Sequence, residues 1–324
     1  MKLATINDGG RDGRLVVVSA DLKRATFAHG IADTLQEALE RWEDVEHELR
    51  AAAIGLEAET SETALDCSAL TFMAPLPRAW QWLDGSAFES HGALMAQVFG
   101  MDPAPRDRPL MYQGVSNLFY SGADDIPFRS EADGIDFEGE FGVIVDETPA
   151  GVSEKEAEAH IRLIVLINDW SLRTLAPIEM KTGFGWVQAK PPCSVASVAV
   201  TPDSIGRFWA DGRVQLPLLV DWNGERFGAA HGGEMAYSFP ALVAHAAATR
   251  SLCAGTLIGS GTVSNSNYRT VGSSCIAERR AIELLDDGRS STSYMKFGDS
   301  VRMETLDDEG RSVFGVVEQR IVAR

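Results

Sequence analysis

Cysteine is scarce in this chain. Cys67, Cys193, Cys253 and Cys275 are the four thiols in 324 residues, far apart and without a C-x-x-C pair. A disulfide framework needs denser pairing, so free thiols in a reducing cytoplasm are the simpler expectation. Long apolar runs are missing as well. Nowhere do about 18 apolar residues follow one another as a spanning helix requires, and the start MKLATINDGG has one lysine but no apolar stretch behind it. A cytoplasmic location is therefore the default expectation, with no membrane partner. Positive charge is in deficit: 29 Lys and Arg stand against 47 Asp and Glu, a formal net charge of -18. Long-range attraction to nucleic acid or an anionic membrane is disfavoured, and an anionic substrate would need a locally positive pocket. No P-loop, strand-anchored G-x-G-x-x-G, internal repeat or low-complexity tract occurs, which leaves nucleotide binding unsupported.

What is present is ordinary globular material, 45% hydrophobic and 23% charged, enough for a sizeable core. Residues 2–28 read as short strands between turns: KLATI, RLVVVS and RATFA around the turn-rich NDGGRDG. Asp33 to Leu56 carries Leu35, Ala38, Leu39, Trp42, Val45 and Leu49 at helical spacing behind a Thr34-x-x-Glu37 capping box. The weakly patterned stretch from Ala58 to Leu70 reads as a linker, giving a small N-terminal unit, 1–70, and a main domain, 71–324. Strand-like runs dominate the latter at 135–145, 161–169, 194–200, 214–223 and 311–322. Helices are expected at Ser153 to His160, behind a Ser153-x-x-Glu156 capping box, and at Ser238 to Ala247. The expected class is α+β, mainly β.

In Ile135-Asp136-Phe137-Glu138-Gly139-Glu140-Phe141, one extended strand would send Phe137 and Phe141 to one face and Asp136, Glu138 and Glu140 to the other. A solvent-exposed face is the bland reading. Against it, Gly139 and Gly142 thin the strand as if a backbone or ligand came close, and the apolar run at 161–169 delivers another acid in Asn168-Asp169-Trp170-Ser171. Carboxylates pressed together repel unless a cation or protons neutralise them, and hard divalent ions prefer oxygen ligands. Zinc is less favoured, because no histidine or cysteine pair stands at zinc-ligand spacing.

These residues resemble the fumarylacetoacetate hydrolase family, whose signature joins E-x-E on a strand to a later N-D-W-S-x-R, a lysine and an S-G-T segment. Here they read Asp136-Phe-Glu-Gly-Glu140, Asn168-Asp-Trp-Ser-Leu-Arg173, Lys190 and Ser260-Gly-Thr-Val-Ser264. The match runs in order through about residues 75–324, and the N-terminal unit looks like the domain that precedes the catalytic one in two-domain members. The resemblance implies a mixed β-sandwich or roll preceded by a small β-barrel-like domain with a helix. It places metal ligands at Asp84, Glu138, Glu140 and Asp169, and a catalytic histidine at His91, seven residues after Asp84. It implies that Glu278 orients His91, that Lys190 and Arg173 neutralise developing negative charge, and that Tyr112 and Thr262 contact substrate; packing is the competing role for the last two. His29, His47, His160, His231 and His245 are left as structural.

The implied cofactor is a divalent metal, Mg2+ or Ca2+, with Mn2+ also admitted. The implied reaction is hydrolysis of a carbon–carbon bond in a β-diketo acid, in a homodimer. Fumarylacetoacetate, split to fumarate and acetoacetate in tyrosine and phenylalanine breakdown, comes first because Met111-Tyr-Gln-Gly114 and Gly272-Ser-Ser-Cys275 resemble members of that pathway. Ser86 and Ala176 depart from the animal enzymes' tyrosine and glutamine, and an arginine expected near Gly100 is missing, so fumarylpyruvate or another acylpyruvate is the alternative. A decarboxylase, isomerase or hydratase on the same metal site is a further reading, and a non-catalytic metal or small-acid binder the last.

Overall fold

The computed structural model describes residues 1–58, 64–99 and 107–324. Gly100, near which an arginine was expected, and part of the Ala58 to Leu70 stretch lie outside the described residues. The class is α+β with sheet predominant. One sheet runs in the order Leu65–Asp66, Arg24–Phe27, Arg14–Val18, Lys2–Ile6, Val198–Val200, Ile161–Asn168, Gly139–Val145, Thr256–Gly259, Trp82–Gly85 and Met111–Gly114. A second sheet runs Glu225–His231, Pro217–Trp222, Ser300–Glu304, Val317–Ala323 and Ile126–Phe128.

The N-terminal strands extend the large sheet, since Lys2–Ile6 pairs antiparallel with Val198–Val200. Among the described residues no barrel closes around them. One face of this sheet, through Phe141, Val143 and Leu166, packs on the second sheet's Leu218, Val220 and Met303. The other, through Leu163, Val165 and Ile167, belongs with Leu35, Leu39, Trp42 and Leu49 of the N-terminal helices. Burial on both faces is why 161–168 reads IRLIVLIN with no polar alternation.

Several expected elements are divided. The 135–145 run splits into Ile135–Asp136 and Gly139–Val145, because the Glu138 amide turns to the Asn168 side chain and its carbonyl accepts from Asp169. The 33–56 helix is two, Leu35–Glu40 and Trp42–Glu57, broken where Arg41 takes φ -125° and ψ 27°. The 194–200 run gives two short strands, Ser194–Val195 and Val198–Val200. The close approach expected at Gly139 is made by Leu218 of the second sheet: a Cβ there would lie 2.9 Å from its Cδ2.

Candidate active site

The large sheet brings four sequence-distant segments to one edge. Gly139–Val145 runs antiparallel to Ile161–Asn168 and to Thr256–Gly259, while Thr256–Gly259 runs parallel to Trp82–Gly85. Three strands therefore end where Gly139–Val145 begins. The register sets Gly139 opposite Asn168 and Gly259 opposite Asp84, so Asp84, Glu140 and Asp169 converge with one carboxylate oxygen from each within 4.8 Å of the others. The Ser260-Gly-Thr segment closes this edge. The Gly261 amide donates to Asp84 Oδ1 at 3.0 Å, and Gly261 has φ +75°, a left-handed conformation that side chains avoid. A Cβ on Gly259 would sit 2.4 Å from the same Asp84 oxygen.

Glu138 stands beside this trio but faces two cations. Arg173 donates to its Oε1 at 2.6 Å, and Lys190 donates to its Oε2 and, at 2.6 Å, to Asp169 Oδ2. Burial alone would raise the Glu138 pKa, yet Arg173 and Lys190 hold it well below the usual carboxylate range. Lys190 is only 4% exposed, but Asp169 and Glu138 overcome the cost of burying it and keep it an ammonium. Tyr112 and Trp186 stack at 5.4 Å between ring centroids, with the Lys190 ammonium 5.4 and 5.5 Å from the two rings. The Tyr112 hydroxyl donates to Asp169 Oδ2 at 2.7 Å, so this side chain meets a carboxylate directly. Thr262 is buried in the same closing segment.

His91 lies in the first turn of Glu89–Phe99, with Nδ1 2.8 Å from Glu278 Oε2. Glu278 is the third residue of Ile276–Asp287 and wholly buried, while the His91 side chain retains 17% exposure toward solvent. All ten residues singled out from the sequence lie in the described structure. Of the pocket departures, Ser86 is exposed next to the end of Trp82–Gly85, and Ala176 is buried at the start of Ala176–Met180.

Three participants were given no site role from the sequence. Asp136 is wholly buried and accepts from the Ile276 and Ala277 amides at 2.7 and 2.9 Å and from Arg173 Nε at 2.8 Å. It thus ties Arg173 to the helix that carries Glu278. Its place two residues before Glu138 was the available signal. Cys193 Sγ donates to Asp169 Oδ1 at 2.9 Å, a contact that Lys190-Pro-Pro-Cys193 does not announce. Trp186 likewise has no local sequence signature.

The donor set fits a hard divalent cation. Both Glu140 oxygens are buried without a hydrogen-bond partner among the described residues. Burial first, and then the charge of Asp169, pushes Asp84 up to about 8; burial, Asp84 and Asp169 push Glu140 well above the carboxylate range. Protons on Asp84 and Glu140 offset the crowded negative charge when no cation does. Cation binding must then expel them. At pH 6, calorimetry of Mn2+ binding in buffers of different ionisation heat should read about one to two protons released per ion; release near zero would contradict protonated Asp84 and Glu140.

A family model described as Fumarylacetoacetate (FAA) hydrolase C-terminal matches residues 81–322, and one described as Fumarylacetoacetase N-terminal domain 2 matches residues 1–78. A 2,4-didehydro-3-deoxy-L-rhamnonate hydrolase from Sphingomonas sp. (strain SKA58) is 27% identical over 163 residues, which is 49% of this chain. The matched part spans only about half of that relative, 54% of its length. Among solved structures, a fumarylacetoacetate hydrolase from Exiguobacterium antarcticum is similar over 100% of both chains, with TM-score 0.70 and 18% identity. A maleylpyruvate hydrolase from Sphingobium sp. SYK-6, in complex with manganese(II) and pyruvate, gives TM-score 0.67 and 15% identity over 100% of this chain and 99% of that one. A fumarylpyruvate hydrolase from Pseudomonas aeruginosa, with Mn2+ and pyruvate, gives 0.56 and 13% over 82% and 94%. At these identities the solved structures speak for the fold alone, but the family models together account for nearly every residue, and the chain belongs to the fumarylacetoacetate hydrolase family.

Proposed function

We propose that this protein is a metal-dependent hydrolase that cuts a carbon–carbon bond in a small β-diketo acid, with residues 1–70 as an N-terminal unit and the chemistry beyond them. The observation that carries the reading is the cation-seeking trio Asp84, Glu140 and Asp169 flanked by Lys190 and Arg173, with the His91–Glu278 pair alongside. Asp84, Glu140 and Asp169, with Glu138 beside them, would hold Mg2+, Ca2+ or Mn2+. Such an ion supplies Lewis-acid polarisation and a template for the diketone oxygens.

The protein's own groups do the rest. Glu278 accepts a hydrogen bond from His91 Nδ1–H, and in that tautomer the lone pair of Nε2 is free to take a proton from water as general base. The water oxygen adds to the acyl carbonyl. Lys190 and Arg173 are fixed positive charges near the developing oxyanion, and groups so placed are typically worth about 3 kcal/mol each. The same two cations are paired with Asp136, Glu138 and Asp169, so in a chain of net charge -18 a bound divalent ion would supply the further positive charge that an anionic substrate needs. The carbon–carbon bond breaks with its electron pair in an enolate; reprotonation yields a ketone-bearing acid and a second carboxylic acid.

Fumarylacetoacetate and an acylpyruvate such as fumarylpyruvate are the two substrate readings. The tyrosine-pathway segments support the first; Ser86 and Ala176, and relatives that hydrolyse maleylpyruvate and fumarylpyruvate, support the second. Loss of the enol's ultraviolet absorbance across a panel of both, with and without chelator, tests the proposal. Turnover of at least one that vanishes with chelator and returns with Mn2+ is expected; a panel untouched under every metal would overturn it.

A further inference from the structure

Beside the hard trio lies a second cluster of different chemistry. One ligand atom each from His91, Glu138 and Cys275 stands within 4.8 Å of the others. We propose that these three residues form a second metal site, selective for borderline-soft cations such as Zn2+ or Co2+ over Mg2+. No sequence spacing could announce it, because Glu89–Phe99, the 137–138 break and the residue before Ile276–Asp287 supply one ligand each.

The donor set decides the cation. An imidazole nitrogen, a thiolate and one carboxylate suit zinc, whereas the neighbouring all-oxygen trio suits a hard ion. A tetrahedral ion with bonds of about 2.0 to 2.3 Å spaces its ligands roughly 3.5 Å apart, so the side chains need to draw inward by roughly an ångström. His91 is already set for this role, since a ligating histidine ordinarily gives its other ring N–H to a carboxylate and Glu278 holds Nδ1 at 2.8 Å. The fourth position would take water, as His91 is the ligand open to solvent.

Two independent observations point to a missing cation here. Among the described residues Glu278 Oε1 is buried without a partner, as are the hydroxyls of Ser273 and Ser274 just before Cys275. The charges are also unbalanced: Asp136, Glu138 and Glu278 face Arg173 and Lys190, and Asp169 claims Lys190 too. A divalent ion arriving as the Cys275 thiol gives up its proton to solvent adds one net positive charge to a cluster in which four carboxylates, Asp136, Glu138, Asp169 and Glu278, face two cationic side chains.

The site itself does not depend on the proposed reaction; its consequence does. An ion on His91 takes away the lone pair that the hydrolysis uses, so occupation would inhibit a Mn2+-loaded enzyme. Cys275→Ser is the variant of choice, because serine is a favoured N-cap and keeps the cap that Cys275 Sγ gives the Glu278 amide. With the trio filled by Mg2+, Co2+ added to the wild type should develop a thiolate-to-cobalt charge-transfer band, absent in Cys275→Ser. Zn2+ should inhibit the variant at least about tenfold more weakly. No band in the wild type, or a band that survives Cys275→Ser and so belongs to another thiol, overturns the site. A band that disappears in the variant while Zn2+ leaves wild-type turnover intact keeps the site and refutes His91 as the base.

Discussion

Glu140→Ala should strip the divalent cation and turnover from the protein together. Both carboxylate oxygens of Glu140 are buried, and neither has a hydrogen-bond partner among the described residues, so they are free to hold a cation. Removing a direct ligand should weaken Mn2+ by at least about 100-fold, beyond the 10- to 100-fold seen when a ligand's supporting partner is lost. Lewis-acid polarisation is worth several kcal/mol, so turnover should fall by about 1,000-fold or more. The stability effect has the opposite sign in the metal-free protein. Asp84 is raised to about 8 from an ordinary value of 3.8, so the folded chain holds a proton that the unfolded chain has released. That contribution to stability is complete below about pH 4 and is lost as pH rises through about 8. Deleting Glu140 removes one of the like charges that raise Asp84, which flattens the decline. Chelated wild type should therefore lose melting temperature between pH 5 and 8 more steeply than chelated Glu140→Ala, and Mn2+ should reverse the wild-type decline. Equal slopes with and without Glu140 would mean that the trio is not charge-frustrated.

Much of this arrangement was legible in the sequence because its signals are local. An E-x-E at the start of an apolar run and Asn168-Asp169 at the end of another each mark a strand terminus, while Ser260-Gly-Thr, Asp84 and His91 were placed by the family resemblance. The shared edge is where antiparallel and parallel neighbours bring those termini together. The division of acids within E-x-E was not legible. Strict alternation treats Glu138 and Glu140 as equivalent, but the strand is interrupted before Gly139, and Glu138 turns to Arg173 and Lys190 while Glu140 joins Asp84 and Asp169. Nor does anything at Arg41 foretell a helix break, for neither proline nor glycine stands there. The roles of Asp136 and Cys193 were not legible for the same reason: their partners, the Ile276 and Ala277 amides and Asp169, are distant in sequence and only tertiary structure supplies them.

His91→Ala should separate chemistry from metal binding. His91 makes its side-chain contact with Glu278, not with the trio, and sits on a helix that packs against Ile276–Asp287. Mn2+ affinity and melting temperature should stay near wild type. Turnover should fall by about 100- to 10,000-fold, the usual contribution of a positioned general base, with KM little changed because the ion and the two cations still hold the substrate. Glu278→Gln should lose less by itself, since its amide still contacts the imidazole but no longer stabilises the imidazolium. The combination of both changes should cost no more than His91→Ala alone, since a positioning residue has nothing left to position once its partner is gone. Full additivity of the two losses would show that Glu278 acts by another route, through Cys275 and the helix start it shares with Asp136. Near-normal turnover in His91→Ala would mean that water is activated without an imidazole, and would return the decarboxylase and hydratase readings to the front.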